Sequence, residues 1–222
     1  MCVIIFSPCE GNRPSNKTLE LCNKANPHGI GIVTQGNKDM YSVSKGLSLE
    51  LVKKIIEKTS GAIAIHFRYA TAGGNSKNLC HPFPCTSKAE TWLDYEASDV
   101  LMSNGTWMNW EQSYEIIKKL GSIKAINGKM SDTRAMAHIV GTKRKTSWLR
   151  EITDKHPNHK RVRTLYMSKT QSKSVNFIGE WKTFEGCKFS NLRWKTTMAK
   201  KRKFYVPSAT QQDFASWLDG KY

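Results

Sequence analysis

The second residue of the chain is a cysteine, in Met1-Cys2-Val3-Ile4-Ile5-Phe6, directly ahead of an apolar, strand-like run. Removal of Met1 by methionine aminopeptidase would leave Cys2 with two reactive groups on one residue. One is a thiol nucleophile; the other is an α-amine whose reference pKa of about 7.7–8.0 lets it act as a base near neutral pH. That pairing is a compact unit for nucleophilic catalysis. Cysteine is also a small residue that is often simply buried at the start of a strand, and position 2 taken alone favours that plainer reading.

Further candidate residues follow in ordered segments. They are Asn26-Pro27-His28-Gly29-Ile30-Gly31-Ile32, Ile65-His66-Phe67-Arg68-Tyr69-Ala70-Thr71-Ala72-Gly73, His81-Pro82-Phe83, Met102-Ser103-Asn104-Gly105-Thr106 and Ser131-Asp132-Thr133. In this order behind Cys2, they resemble the class II glutamine amidotransferases, which belong to the N-terminal-nucleophile (Ntn) hydrolases. The chain is similar in particular to small stand-alone proteins of that type often found in phage genomes. The resemblance runs from Cys2 to about Trp194, with Gly179-Glu180-Trp181 and Gly186-Cys187-Lys188-Phe189-Ser190-Asn191 resembling the late strands of those proteins.

The resemblance implies a glutamine amidohydrolase. Cys2 would attack the substrate carboxamide, its α-amine would relay a proton to the departing ammonia, and water would hydrolyse the thioester. It implies that the Asn104 side chain and the Gly105 N–H stabilise the tetrahedral intermediate. Arg68 is implied to grip the α-carboxylate of glutamine, a task for a planar guanidinium. Asp132 would receive the α-ammonium, with Thr71 and the Gly73 backbone supporting the pocket. Each residue also has a plainer reading: Asn-Gly is a strong hairpin signal, Arg68 suits a strand-end ion pair, and Asp132 suits a first-turn aspartate favoured by the helix dipole. Three positions depart from the family. His28 and Arg134 stand where acidic residues are frequent, and Ala72 where a histidine is frequent, so a different amide, an anionic one or lost catalysis are alternatives to glutamine. His28 either titrates or serves only as a hydrogen-bonding group.

With 222 residues, 39% hydrophobic and 10% aromatic, the chain is long enough for one domain with a sizeable core. It is too short to add a full synthetase, so any ammonia acceptor is expected on another chain. No apolar stretch approaches the roughly 20 residues of a membrane span, and no secretory leader is expected at the N-terminus. The expected location is cytoplasmic, the host cytoplasm if the protein is phage-encoded. The six cysteines form no disulfide framework, and Cys80, His81 and Cys85 lack a second cluster at zinc spacing. No metal or cofactor is expected.

The net charge of +17 is concentrated late: residues 141–222 hold 19 Lys and Arg against 6 Asp and Glu. Lys143-Arg144-Lys145, Lys160-Arg161-Val162-Arg163 and Lys200-Lys201-Arg202-Lys203 alternate with Trp148, Tyr166, Trp181 and Trp194. This mixture suits phosphate neutralisation with stacking. A catalytically silent protein that binds nucleic acid or an acidic host protein is therefore the alternative function, and a solvated cationic surface the plainer one.

Positioning these residues requires strands and helices in alternation. Strands are expected at Val3–Ser7, Gly29–Thr34, Met40–Val43, Ala62–Phe67 and Asp99–Ser103, and later at Val162–Met167, Ser174–Ile178 and Cys187–Trp194. Helices are expected at Lys17–Lys24, at Leu49–Lys58 behind a Ser48 cap, and at Trp110–Leu120 with Asn109 and Gln112 as a capping box. Two more are expected at Ser131–Val140 and Ser208–Leu218. Residues 75–98 and 142–159 read as loops. The whole is read as one α+β domain whose basic C-terminal portion belongs to it, and the resemblance implies a four-layer αββα sandwich of two antiparallel sheets.

Overall fold

The structure, a computed structural model, describes residues 2–70, 76–150, 162–171 and 173–196. It is α+β with two antiparallel sheets. The first has seven strands in the order β10-β11-β1-β4-β2-β3-β6 and the second four in the order β5-β7-β8-β9. Their ranges are β1 Val3–Ser7, β2 Ile30–Gln35, β3 Tyr41–Leu47, β4 Ile63–Phe67, β5 Phe83–Pro84, β6 Asp94–Ala97, β7 Asp99–Asn104, β8 Arg163–Ser168, β9 Val175–Ile178, β10 Lys182–Phe184 and β11 Cys187–Phe189. Among the described residues four complete helices accompany them, α1 Asn16–Ala25, α2 Leu49–Glu57, α3 Trp110–Lys119 and α4 Asp132–Lys143, and residues 147–150 are also helical.

Alternation of side chains along each strand explains the layering of the core. Ile4 and Phe6 of β1, Val33, Val43 and Ala64 of the first sheet pack against Val100, Met102, Leu165 and Met167 of the second. The intervening residues of the second sheet, Leu101 and Tyr166, point the other way, into a cluster with Tyr114 of α3 and Ala135, Met136, Ile139 and Val140 of α4. Because both faces of β7 and β8 are covered, all six residues of each are buried.

Caps set the helix ends. The hydroxyls of Ser15, Ser48 and Ser131 accept from the N–H groups of Thr18, Leu51 and Arg134, as N-cap hydroxyls do. At the end of α3, Gly121 N–H donates to the Lys118 carbonyl and Ser122 N–H to the Ile117 carbonyl. This is the paired bonding of a Schellman motif, with Gly121 at φ +67.

Several expectations are corrected. The Asn109–Gln112 capping box does not form: Asn109 is left-handed (φ 54), and its side chain makes no cap bond. Asparagine tolerates that conformation, which removes the extended backbone that a capping side chain needs. Residues 75–98, read as a loop, contain β5 and β6. β6 is a short edge strand with a half-exposed polar pattern, so it carries little hydrophobic signal. The stretch from 142 is not wholly exposed, since Leu149 is buried in the cluster with α3 and α4. The strand expected at Cys187–Trp194 ends at Phe189, and β10 precedes it as an unpredicted hairpin partner. The expected helix at Ser208–Leu218 lies outside the described residues.

By contact, residues 1–192 and 193–222 form two units. The described part of the second contains one 3-10 turn, Arg193–Lys195, with the Lys195 ammonium 5.5 Å from the Trp194 ring centroid.

Gly141 in α4 tests the packing of this core. A Cβ there would lie 2.3–2.5 Å from backbone atoms of Cys85 and Thr86. Helix propensity favours Ala over Gly by about 1 kcal/mol, but backbone cannot yield as a side-chain tip can. Gly141→Ala is therefore expected to lower stability, by about 1–3 kcal/mol in urea unfolding; a stabilised variant would contradict this packing.

Candidate active site

The pairing of β1 with β4 places the first candidate residues. Val3 lies opposite Phe67, so Cys2, one residue before β1, meets Arg68 and Tyr69, just after β4. The Tyr69 N–H donates to the Cys2 sulfur at 3.3 Å, and the thiol lies 3.5 Å from the Tyr69 carbonyl. From the other side the Asn191 amide donates to the Cys2 carbonyl at 2.8 Å. Next to it, the Ser190 hydroxyl accepts from Ile4 N–H at 2.8 Å and from the Asn104 amide at 2.9 Å. Ser190 and Asn191 thus fasten the start of β1 to the end of β7.

A cavity of about 50 Å³ joins Cys2, Arg68, Tyr69, His81, Ser103, Gly105 and Asp132. Three implied site residues, Arg68, Gly105 and Asp132, are thereby gathered around Cys2, although up to 130 positions separate them in sequence. Asn104 is fully buried with its amide turned to Ser190, and its Oδ1 has no partner among the described residues. Thr71 and Gly73 lie outside the described residues.

Electrostatics follows from burial. Desolvation raises the Cys2 thiol, with the Tyr69 N–H and the Arg68 charge pulling down and Asp132 pushing up. Asp132 is buried at the first turn of α4, where Trp107 N–H donates to Oδ2 at 3.0 Å and Thr133 N–H to Oδ1 at 2.7 Å. Burial still raises its carboxyl against those bonds. Arg68 is buried and donates to the Ser76 carbonyl at 3.2 Å among its contacts.

His81, weighed in the sequence as part of the His81-Pro82-Phe83 turn and as a metal ligand, borders the cysteine cavity. Because Phe83 pairs with Leu101, His81 falls beside Ser103, whose N–H donates to His81 Nδ1 at 3.4 Å. The ring stacks on His66 at 4.1 Å between centroids. A Cβ on Gly31 would lie 1.9 Å from the His81 carbonyl, so only glycine permits this approach. Burial pushes His81 down to about 3 and His66 well below its ordinary value. Both rings are neutral, and neither His66 nitrogen has a partner among the described residues. His28 accepts from Ala70 N–H at 2.9 Å through Nδ1, a hydrogen-bonding role.

Arg134 does not line this cavity. Its guanidinium donates to the carbonyls of Ala89, Lys129, Lys88 and Asn127. It lines a separate cavity of about 870 Å³ beside the loops 87–92 and 121–127. The larger space is therefore not the one that holds the cysteine.

Of the basic residues considered for nucleic acid, Lys143, Arg144 and Lys145 lie exposed at the end of α4, with Arg144 3.4 Å from Asp99. Arg163 is a correction to a surface role: it is buried, and its Nε donates to the Glu180 carbonyl. Lys160, Arg161, Lys200, Lys201, Arg202 and Lys203 lie outside the described residues. Among the described residues no group of three His, Cys, Asp or Glu could hold a metal ion, and no helix is long and apolar enough to cross a membrane.

No family model matches the chain, and no curated protein matches it. Among solved structures it is similar to a glutamine phosphoribosylpyrophosphate amidotransferase from B. subtilis complexed with ADP and GMP. Identity is 18% and the TM-score 0.49, over 85% of this chain and 41% of that one. It is also similar to a structure described as the allosteric regulatory enzyme of purine biosynthesis, at 22% identity and a TM-score of 0.45, over 76% of this chain and 36% of that one. The chain spans about two fifths of the length of these proteins.

The histidine pair gives a pH signature. The unfolded His81 titrates near 6.5 and the folded one near 3, so between these values only the unfolded chain takes the proton. Stability is then full above about pH 6.5 and is lost on acidification, by up to about 1.4 kcal/mol per pH unit for one such group. His81→Phe is expected to flatten the fall in unfolding free energy between pH 6.5 and 4.5, measured by urea titration; an unchanged slope would contradict the burial of a neutral ring.

Proposed function

We propose that the protein is a cysteine-nucleophile glutamine amidohydrolase, the ammonia-releasing half of a class II amidotransferase, built on a four-layer αββα Ntn sandwich. The observation that carries this reading is the convergence of Cys2, Arg68, Gly105 and Asp132 on one cavity. A thiol, a guanidinium, a backbone N–H at a strand end and a carboxylate are the groups needed to hold an amino acid by both charges while attacking its side-chain amide.

Burial keeps the resting Cys2 sulfur as a thiol, so a base must take its proton. The α-amine freed by Met1 removal is that base. The thiolate bonds to the carboxamide carbon, the C–N bond breaks, and the amine passes the proton to the departing ammonia. Water then cleaves the thioester, releasing glutamate and restoring the thiol. Gly105 N–H supports the developing oxyanion. Rotation of the Asn104 amide by half a turn would let the Ser190 hydroxyl donate to Oδ1. It would also place Nδ2 where the unpartnered oxygen now sits, a second donor. Side-chain amide O and N are interchangeable in shape, so the rotation needs no repacking.

Arg68 binds the α-carboxylate and Asp132 the α-ammonium, with Thr71 and Gly73 completing that wall. The cavity is far smaller than the roughly 300–1,000 Å³ of ligand pockets, so glutamine entry moves its lining outward. Ammonia passes to an acceptor on another chain or to solvent.

Two substitutions test the reading in a glutamate-release assay. Cys2→Ala is expected to reduce glutamine hydrolysis to background, and full activity in that variant would overturn the assignment. Arg68→Lys keeps the charge but loses the planar fork, and is expected to raise KM roughly ten- to hundredfold; an unchanged KM would remove Arg68 from glutamine recognition.

A further inference from the structure

The second cavity, of about 870 Å³, lies apart from Cys2. One wall is the face of α4 carrying Arg134, His138 and Thr142, at helical i, i+4, i+8 spacing. The opposite walls are the loops bearing Lys88, Glu90 and Trp92 and the segment with Ile123 and Lys124. Asp132, two residues before Arg134, serves the cysteine cavity, so α4 divides two separate spaces.

Arg134 is the unusual member. It is 3% exposed, and its four recorded partners are neutral carbonyls. Among the described residues it forms no ion pair. Glu90, the acid nearest in the lining, accepts instead from the Thr86 hydroxyl. Four carbonyls solvate the guanidinium, and Glu90, half-buried in the same lining, offsets its charge only through space, without a contact ion pair. One Nη1 hydrogen is left over, since the group has five N–H donors and makes four bonds. Thr142 adds a buried hydroxyl with no partner among the described residues. Lys88 and Lys124 are exposed and raise the positive potential at the opening. His138 contributes no charge: burial lowers it, and its Nδ1 is 2.7 Å from the Tyr114 hydroxyl. The remaining lining mixes polar Ser87, Thr91, Ser122 and Asn127 with an apolar part made by Ile123, Ile126 and Trp92, which is 61% exposed.

We propose that this cavity binds a small organic anion, a carboxylate or phosphate carried on a flat apolar body. The anion sits against Arg134 and Thr142 with Lys88 and Lys124 at the opening, and Trp92 covers the apolar part. The site is independent of Cys2 chemistry, and its failure would leave the amidohydrolase reading untouched.

Phenyl phosphate and benzoate, each titrated into the full chain by calorimetry with benzyl alcohol as the uncharged control, test this. Saturable 1:1 binding of at least one anion, with the alcohol silent, is expected; the tighter anion identifies the headgroup. Lys124→Gln and Trp92→Ala change exposed residues; each is expected to keep the native circular dichroism spectrum and to weaken binding roughly fivefold or more. Cys2→Ala is expected to leave it unchanged. Absence of binding by both anions, equal binding of benzyl alcohol, or affinity indifferent to both lining substitutions would overturn the proposal.

Discussion

The candidate site depends on the antiparallel register of β1 against β4. With Val3 opposite Phe67, the residue before β1 and the residues after β4 are forced together, and the Tyr69 N–H reaches the Cys2 sulfur. A slip of one residue would send Ile4 and Phe6 to the wrong face, out of the core shared by the two sheets. The hydrophobic pattern that folds the protein is thus the same pattern that fixes the cysteine. The second sheet then contributes Ser103 and Gly105 from the end of β7, held to β1 by the Asn104–Ser190 bond.

The helix α4 imposes the other constraint. Ten consecutive residues, Asp132 to Gly141, are buried, so the helix has no solvent face in that span and its polar residues must all find partners. Asp132 does so at the first turn with backbone N–H donors, where the helix dipole also favours a carboxylate. Arg134 does so with carbonyls of two loops, which it ties to the helix. One short segment, Ser131-Asp132-Thr133-Arg134, therefore lines both cavities, and the close approach of Gly141 to Cys85 and Thr86 seats its far end.

Much of this was legible in the sequence where local signals and burial agree. The apolar run after Cys2, the Ser48 and Ser131 caps, and the order of segments carrying Arg68, Gly105 and Asp132 all correspond to what the fold brings together. What sequence missed has physical causes. β6 and β10 lie at sheet edges, are short and largely polar, and show no strong alternation. Asn109 carries a capping residue type but adopts a backbone that cannot use it. Arg163 belongs to a basic run, yet its alternation within β8 turns it inward to Glu180. The stacking of His66 of β4 on His81, just before β5, joins segments far apart in the chain, which no local pattern reports. Arg134 was read as a departure from the family; two positions beyond Asp132 on α4 it lies on the other side of the helix, toward the other cavity.

The central claim of the proposal is that Cys2 is a matured nucleophile whose cavity opens to admit glutamine. Intact-mass analysis with and without 6-diazo-5-oxo-norleucine, a glutamine analogue that alkylates such nucleophiles, tests it most directly. The account predicts a mass lacking Met1 and a single covalent adduct that maps to Cys2. A retained Met1 with no adduct would contradict it, because the cavity would then hold neither the base nor the shape that the chemistry requires.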